Sequence, residues 1–189
     1  MKKVLIALTG SIGAGKSAAG RAFEECGARV LDADKLSKRV LFEDGDAVKE
    51  VYELFKESGF TNGMPDAGKI ADIVFSDAEK LAALERVIHP RVEKLWKEAC
   101  KGGICVVEVP LLFEKNLEKG FDFCVTVFCS EDLRRRRLLE RGLSEHEICR
   151  RDSFQMSQTD KIARSHAVFF NDGDASFLKD QAELFLARL

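Results

Sequence analysis

Two kinds of hydrophobic pattern divide this chain. Val4-Leu5-Ile6-Ala7-Leu8, Ile104-Cys105-Val106-Val107-Glu108-Val109, Phe123-Cys124-Val125-Thr126-Val127-Phe128 and Ala167-Val168-Phe169-Phe170-Asn171 are short, nearly continuous apolar runs. Such runs read as strands covered on both faces, as in a parallel sheet. Arg29-Val30-Leu31 reads as one more short strand. Elsewhere apolar residues recur every three or four positions, the helical period. Val48, Val51, Tyr52, Leu54 and Phe55 form one such face, and Ile70, Ile73, Val74 and Phe75 another. Leu81, Leu84, Val87 and Ile88 follow; His89-Pro90 breaks the pattern, and Val92, Leu95 and Trp96 resume it. Gly59 to Asp66 is a turn-rich loop, and Phe177, Leu178, Leu184 and Phe185 mark a closing helix. The pattern predicts an α/β fold with an all-helical insertion between its second and third strands.

The strongest chemical signal is Gly10-Ser11-Ile12-Gly13-Ala14-Gly15-Lys16-Ser17. It fits G-x-x-x-x-G-K-[ST] between a strand and a helix start, the setting of a phosphate-binding loop. The backbone N–H groups of Ile12 to Ser17 can wrap a polyphosphate, aided by the helix N-terminus. Lys16 suits the β- and γ-phosphates, and the Ser17 hydroxyl suits Mg²⁺. Asp32 and Asp34 fall at a strand's carboxyl end, where ligands of open parallel sheets gather. Either can cap a helix beginning near Lys35, leaving the other for the site. Glu108 interrupts the end of a buried strand, where an isolated carboxylate is costly, so it should face a site or a partner. Ser130 reads as an N-cap, followed by Arg134, Arg137 and Arg141 on one helix face. Ser144-Glu145-His146-Glu147 is a capping box opening a helix with Arg150, Arg151 and Gln155. These two arginine-bearing helices look like a lid.

Charge narrows the class. The 189 residues carry 30 Lys plus Arg against 32 Asp plus Glu, a net charge of −2. That balance points away from general nucleic-acid or membrane binding. No apolar stretch is long enough to span a bilayer. The start Met1-Lys2-Lys3 leads directly into a strand with no cleavage site, so a cytoplasmic protein is expected. Cys26, Cys100, Cys105, Cys124, Cys129 and Cys149 form no C-x-x-C pair. Cys105 and Cys124 read as small core residues, and no disulfide is expected in a reducing compartment.

Taken with Leu8-Thr9 before the phosphate loop, Val30-Leu31-Asp32-Ala33-Asp34, His89-Pro90, Pro110-Leu111-Leu112-Phe113-Glu114, the arginine helix, Arg151 with Gln155, and Asn171, the chain resembles the dephospho-coenzyme A kinase family over nearly its whole length. The resemblance implies a P-loop core with a five-stranded parallel sheet over 1–34, 102–130 and 156–189. It implies a helical coenzyme A-binding domain over 35–101 and a lid over 131–155. The implied reaction moves the γ-phosphoryl group of ATP to the 3′-hydroxyl of the ribose of dephospho-coenzyme A, with Mg²⁺ as cofactor. By position Lys16 matches the phosphate lysine, Asp34 the proposed base and Arg137 a lid arginine. ATP contacts are expected from Ser11, Ile12, Gly13, Ala14, Gly15, Lys16, Ser17, Arg141 and Asn171. Substrate contacts are expected from Asp32, Asp34, His89, Glu108 and Leu111, and metal contacts from Ser17 and Asp32. The expected partner is a small molecule, with no nucleic acid and no membrane, and the expected state a monomer or weak homo-oligomer. Another nucleoside or nucleotide kinase of the same fold is the alternative; a P-loop switch or ATPase is a more distant one, and no N-K-x-D guanine motif occurs. Two positions depart from the family pattern. Ser11 stands where glycine is usual, which a negative φ tolerates, and Asp66-Ala67 lacks an arginine that Lys69 could replace.

Overall fold

The computed structural model describes residues 3–189, so the basic Met1-Lys2 start lies outside the described residues. In chain order the elements begin β1 (Val4–Thr9), α1 (Lys16–Glu25), β2 (Arg29–Asp32), α2 (Ala33–Glu43) and α3 (Gly45–Phe55). They continue β3 (Phe60–Thr61), β4 (Met64–Pro65), α4 (Ala67–Ser76), α5 (Ala78–Ala99), β5 (Ile104–Glu108) and β6 (Phe123–Phe128). The chain closes with α6 (Glu131–Glu140), α7 (Glu145–Asp152), α8 (Gln158–Ala163), β7 (Ala167–Phe170) and α9 (Ala175–Leu186). It divides into two compact units: one runs through Asp32 and resumes at Cys100–Leu189, the other is Ala33–Ala99.

The first unit is built on a five-stranded sheet in the order β2-β5-β1-β6-β7, every neighbouring pair parallel. Ile6, Ala7 and Leu8 of the central strand are wholly buried, which accounts for its unbroken apolar run. Phe23 of α1 stacks on Phe169 of β7 with centroids 5.2 Å apart, and Phe185 of α9 meets both rings edge-on. From β1 the chain goes to β2 on one side, and β6 and β7 lie on the other. The strand order therefore reverses beside β1, and crevices at such a reversal are where open α/β sheets bind ligands. The phosphate loop leaves β1 at that point.

The second unit packs α2 to α5 around Val40, Val51, Phe55, Ile70, Val92 and Trp96, all buried. Asp44 caps α3 by accepting from Asp46 N and Ala47 N, and Asp66 caps α4 by accepting from Gly68 N and Lys69 N. Arg91 of α5 pairs with Glu50 of α3 at 2.6 Å and donates to Val87 O.

Several local expectations are corrected. His89-Pro90 does not break the helix: α5 runs through both. Proline removes one helical hydrogen bond, but buried Val87 and Ile88 before it, with Val92 and Trp96 after it, anchor both halves. The turn-rich loop contains the hairpin β3–β4, turned by Asn62 (φ 52°) and Gly63 (φ 77°), the positive pair a tight hairpin needs. α2 begins at Ala33 rather than near Lys35, placing Asp32 at the strand end and Asp34 in the first helical turn. Ser130 precedes α6 but its hydroxyl makes no cap; its N–H donates to Asp172 Oδ1 at 2.8 Å. Cys100 and Cys105 are joined in a disulfide, their Cα atoms 5.8 Å apart, because the short turn between them brings both into the same buried region. Cys124 is a buried free thiol, pushed up to about 11 by burial.

Candidate active site

The loop after β1 takes its shape from its glycines. Gly10, Gly13 and Gly15 all have positive φ, at 148°, 81° and 99°. A Cβ on Gly10 would stand 2.6 Å from Val127 O, and one on Gly15 only 1.9 Å from Asn171 Nδ2. The backbone thus passes where no other residue fits. Ser11 is buried and is not among the positive-φ residues, so its hydroxymethyl group is accommodated.

The loop is held from outside as well. Asn171, buried just past β7, donates from Nδ2 to Ala14 O at 2.7 Å, and its carbonyl accepts from Arg137 Nη2 at 3.1 Å. Ile12 N–H donates to Gln155 Oε1 at 2.9 Å, and Ala14 N–H to Ser11 O at 3.1 Å. Those two N–H groups, within the Ile12 to Ser17 stretch expected to be able to wrap a polyphosphate, bond inside the protein in this structure. In the first turn of α1, Ala18 N–H and Ala19 N–H both donate to the carbonyl of the N-cap residue Gly15, at 2.9 Å and 3.1 Å. Lys16 lies along the loop with Nζ 2.8 Å from Gly10 O and 3.3 Å from Ser11 O.

Glu108 reaches the loop's helix. Ser17 Oγ donates to Glu108 Oε2 at 3.2 Å. Glu108 crosses over Gly20, where a Cβ would meet its Oε1 at 2.5 Å. Asp32 stands opposite Glu108 in the β2–β5 register. A serine hydroxyl bonded to Glu108, with Asp32 as the register partner of Glu108 on the adjacent strand, is donor chemistry that suits Mg²⁺, which binds a few oxygens and keeps its other positions for water and phosphate.

Arg137 borders the same loop: its Nη1 is 3.8 Å from the position a Gly15 Cβ would take. That nitrogen is buried without a hydrogen-bond partner among the described residues. A buried cationic donor left unsatisfied beside an anion-binding loop is what a phosphate oxygen would complete. Arg141 is exposed at the C-cap of α6, and Leu111 is half-buried in the turn after β5. Asp34 and His89 belong to the other unit, Asp34 exposed in α2 and His89 half-buried within α5. Also in that unit, Lys69 donates to Phe60 O at 2.9 Å and Asp66 accepts from Thr61 Oγ1 at 2.8 Å, so both serve the hairpin.

Sequence reasoning missed Lys161. It is wholly buried in α8, donates to Pro110 O at 2.9 Å and pairs with Glu114 at 2.8 Å. Thr9 Oγ1 donates to the same carbonyl at 3.3 Å, and Met156 N–H to Glu114 Oε1 at 2.8 Å. The exit of β5, the start of the phosphate loop and the segment after α7 are joined there. Burial lowers the Lys161 ammonium. Burial alone would raise the Glu114 carboxyl, but bonds from Lys161 and Met156 hold it below its ordinary value. A signal for α8 was present: Ser157 caps it by accepting from Asp160 N, an S-x-x-D pattern.

A parallel sheet with this strand reversal, a glycine-shaped phosphate loop and a half-buried arginine with one buried nitrogen beside it define a P-loop kinase. Solved shikimate kinase from Acinetobacter baumannii shares the fold, with a TM-score of 0.55 at 16% identity over 98% of this chain and 92% of that one. The family model for dephospho-CoA kinase matches residues 4–176. A dephospho-CoA kinase of Deinococcus radiodurans is 38% identical, covering 97% of this chain and 91% of the relative. A solved structure from Thermus thermophilus superimposes with a TM-score of 0.88 at 34% identity, covering 100% of this chain and 99% of that one. The chain belongs to the dephospho-CoA kinase family.

Proposed function

We propose that this chain transfers the γ-phosphoryl group of ATP to the 3′-hydroxyl of the ribose of dephospho-coenzyme A. The observation that carries the reading is the phosphate loop, whose positive-φ glycines let the backbone approach an anion with no side chain in the way, with the unsatisfied Arg137 Nη1 beside it. The family to which the chain belongs supports the choice of acceptor.

In this reading Lys16 leaves the carbonyls of Gly10 and Ser11 for the β- and γ-phosphates. Ser11 to Ser17, Arg141 and Asn171 line the nucleotide side. Arg137 meets charge that develops on the transferring group, which lowers the barrier without requiring tighter ground-state binding. Ser17 and Asp32 hold Mg²⁺, with Glu108 close by through its bond to Ser17. When bound, the ion neutralises phosphate charge. Asp34, two residues beyond Asp32, accepts the proton of the ribose hydroxyl or aims that hydroxyl at phosphorus. His89, Glu108 and Leu111, with Asp32 and Asp34, contact the acceptor. Residues 35–101 form the coenzyme A domain and 131–155 the lid, and the enzyme works in the cytoplasm as a monomer or weak oligomer on small molecules alone.

The test is ATP consumption with dephospho-coenzyme A, adenosine, AMP and pantothenate as acceptors. Turnover confined to dephospho-coenzyme A supports the reading. Preference for adenosine or AMP would reassign the chain to the nucleoside and nucleotide kinases.

A further inference from the structure

Arg134 and Arg137 lie one turn apart on α6, yet their surroundings differ completely. The Arg134 side chain is 5% exposed. Its guanidinium forms a fork with Asp152, at 2.8 Å from Nη1 and 2.6 Å from Nη2, and a second with Glu131, at 2.9 Å from Nε and 2.5 Å from Nη2. Nη1 also donates to Ile12 O at 3.1 Å. Two carboxylates, Asp152 foremost, hold the guanidinium firmly charged and neutralise it. Its positive field is therefore not directed at a phosphate, unlike that of Arg137.

The bond to Ile12 O has a counterpart. Gln155, three residues beyond Asp152, accepts from Ile12 N–H at 2.9 Å. Both backbone polar groups of Ile12 are gripped, one by α6 and one by the end of the α7 segment. The next residue, Gly13, is hemmed in by the same helix. A Cβ there would stand 2.9 Å from Leu138 Cγ and 3.1 Å from Arg134 Cγ.

We propose that Arg134 is a positioning residue for nucleotide binding: it fixes Ile12, and so the path of the phosphate loop, while touching no phosphate. Asp152 anchors Arg134 to α7, so the base of the arginine-bearing helices is tied to the loop before any nucleotide arrives. This rests on the phosphate-loop reading of the previous subsection. Without the anchor, bound nucleotide must itself order the loop. Ordering one residue's backbone corresponds to roughly tenfold in dissociation constant.

Calorimetric titration with MgADP, together with kcat and KM for ATP, tests the proposal on the intact protein. Arg134→Gln should weaken MgADP binding about tenfold and raise the KM for ATP, with a smaller change in kcat. Arg134→Lys, which keeps one donor for Ile12 O, should recover part of the affinity. Asp152→Asn should act in the same direction, and joining it to Arg134→Gln should add little, since both act through one strut. Variants that melt earlier but bind MgADP like the parent would overturn the proposal and leave Arg134 purely structural. A lowered kcat at unchanged affinity would also overturn it, by making Arg134 act on the transition state. Should Arg134→Gln fail to fold, Asp152→Asn and Gln155→Ala decide: weakened MgADP binding supports the proposal, and parental affinity overturns it. A parent protein that does not bind MgADP overturns the phosphate-loop reading itself, and this proposal with it.

Discussion

Gly15→Ala puts the largest demand on the loop for the smallest chemical change. Alanine at φ 99° is in a region that a Cβ disfavours by about 1–2 kcal/mol. The new methyl would stand 1.9 Å from Asn171 Nδ2, so the amide must move and give up its 2.7 Å bond to Ala14 O. Losing that buried bond costs about 1–2 kcal/mol. The sum is about 2–4 kcal/mol, or roughly 10 °C in melting temperature for a chain of this size. The double variant Gly15→Ala/Asn171→Ala removes the collision and leaves the φ penalty. It should therefore be more stable than the two single losses added together, by about 1 kcal/mol or more. Urea unfolding of the parent, both single variants and the double variant measures this cycle, and MgADP titration follows the loop itself. Strictly additive losses, or a Gly15→Ala protein with parental stability and affinity, would refute the steric reasoning.

Arg137→Ala should lower kcat far more than ATP affinity, by about 10³ if the residue meets transition-state charge; steady-state kinetics check this, and a raised KM with kcat intact would make it a binding residue. Glu114, held below its ordinary pKa in the fold, binds fewer protons folded than unfolded, so its stabilisation is full above the unfolded pKa and is lost as pH falls through the folded one. Glu114→Gln should accordingly flatten the acid limb of stability below about pH 4.5 in urea midpoints measured against pH. Asp34→Asn should keep ATP and dephospho-coenzyme A binding while losing most of kcat; single-turnover rates beside Asp32→Asn decide, and an inactive Asp32→Asn with an unchanged Asp34→Asn reverses their roles.

The strands and the phosphate loop were legible because their causes are local. A strand buried on both faces must be apolar along its length, and a loop with backbone at positive φ must place glycines at fixed offsets. What escaped depends on partners distant in sequence. Arg134 and Arg137 share a helix face and a residue type; they differ because Arg134 meets Asp152, 18 residues on, and Ile12, 122 residues back. Lys161 sits in a polar helix that gives no sign of total burial, and Pro110, whose carbonyl it reaches, is 51 residues away. Pro90 looked like a helix end because the local rule is steric, whereas packing on both sides carries α5 through it. The Asn62-Gly63 hairpin and the Ser157 cap had local signals that the apolar periodicity around them obscured.

The central claim is the identity of the acceptor atom. Protein, ATP, Mg²⁺ and dephospho-coenzyme A should be incubated together and the product followed by phosphorus NMR, with Lys16→Ala run in parallel. A new phosphomonoester resonance coupled to the ribose H3′ is the expected result, growing in step with ADP and absent with Lys16→Ala. ADP formation without that resonance, or phosphate on any other hydroxyl, would contradict it.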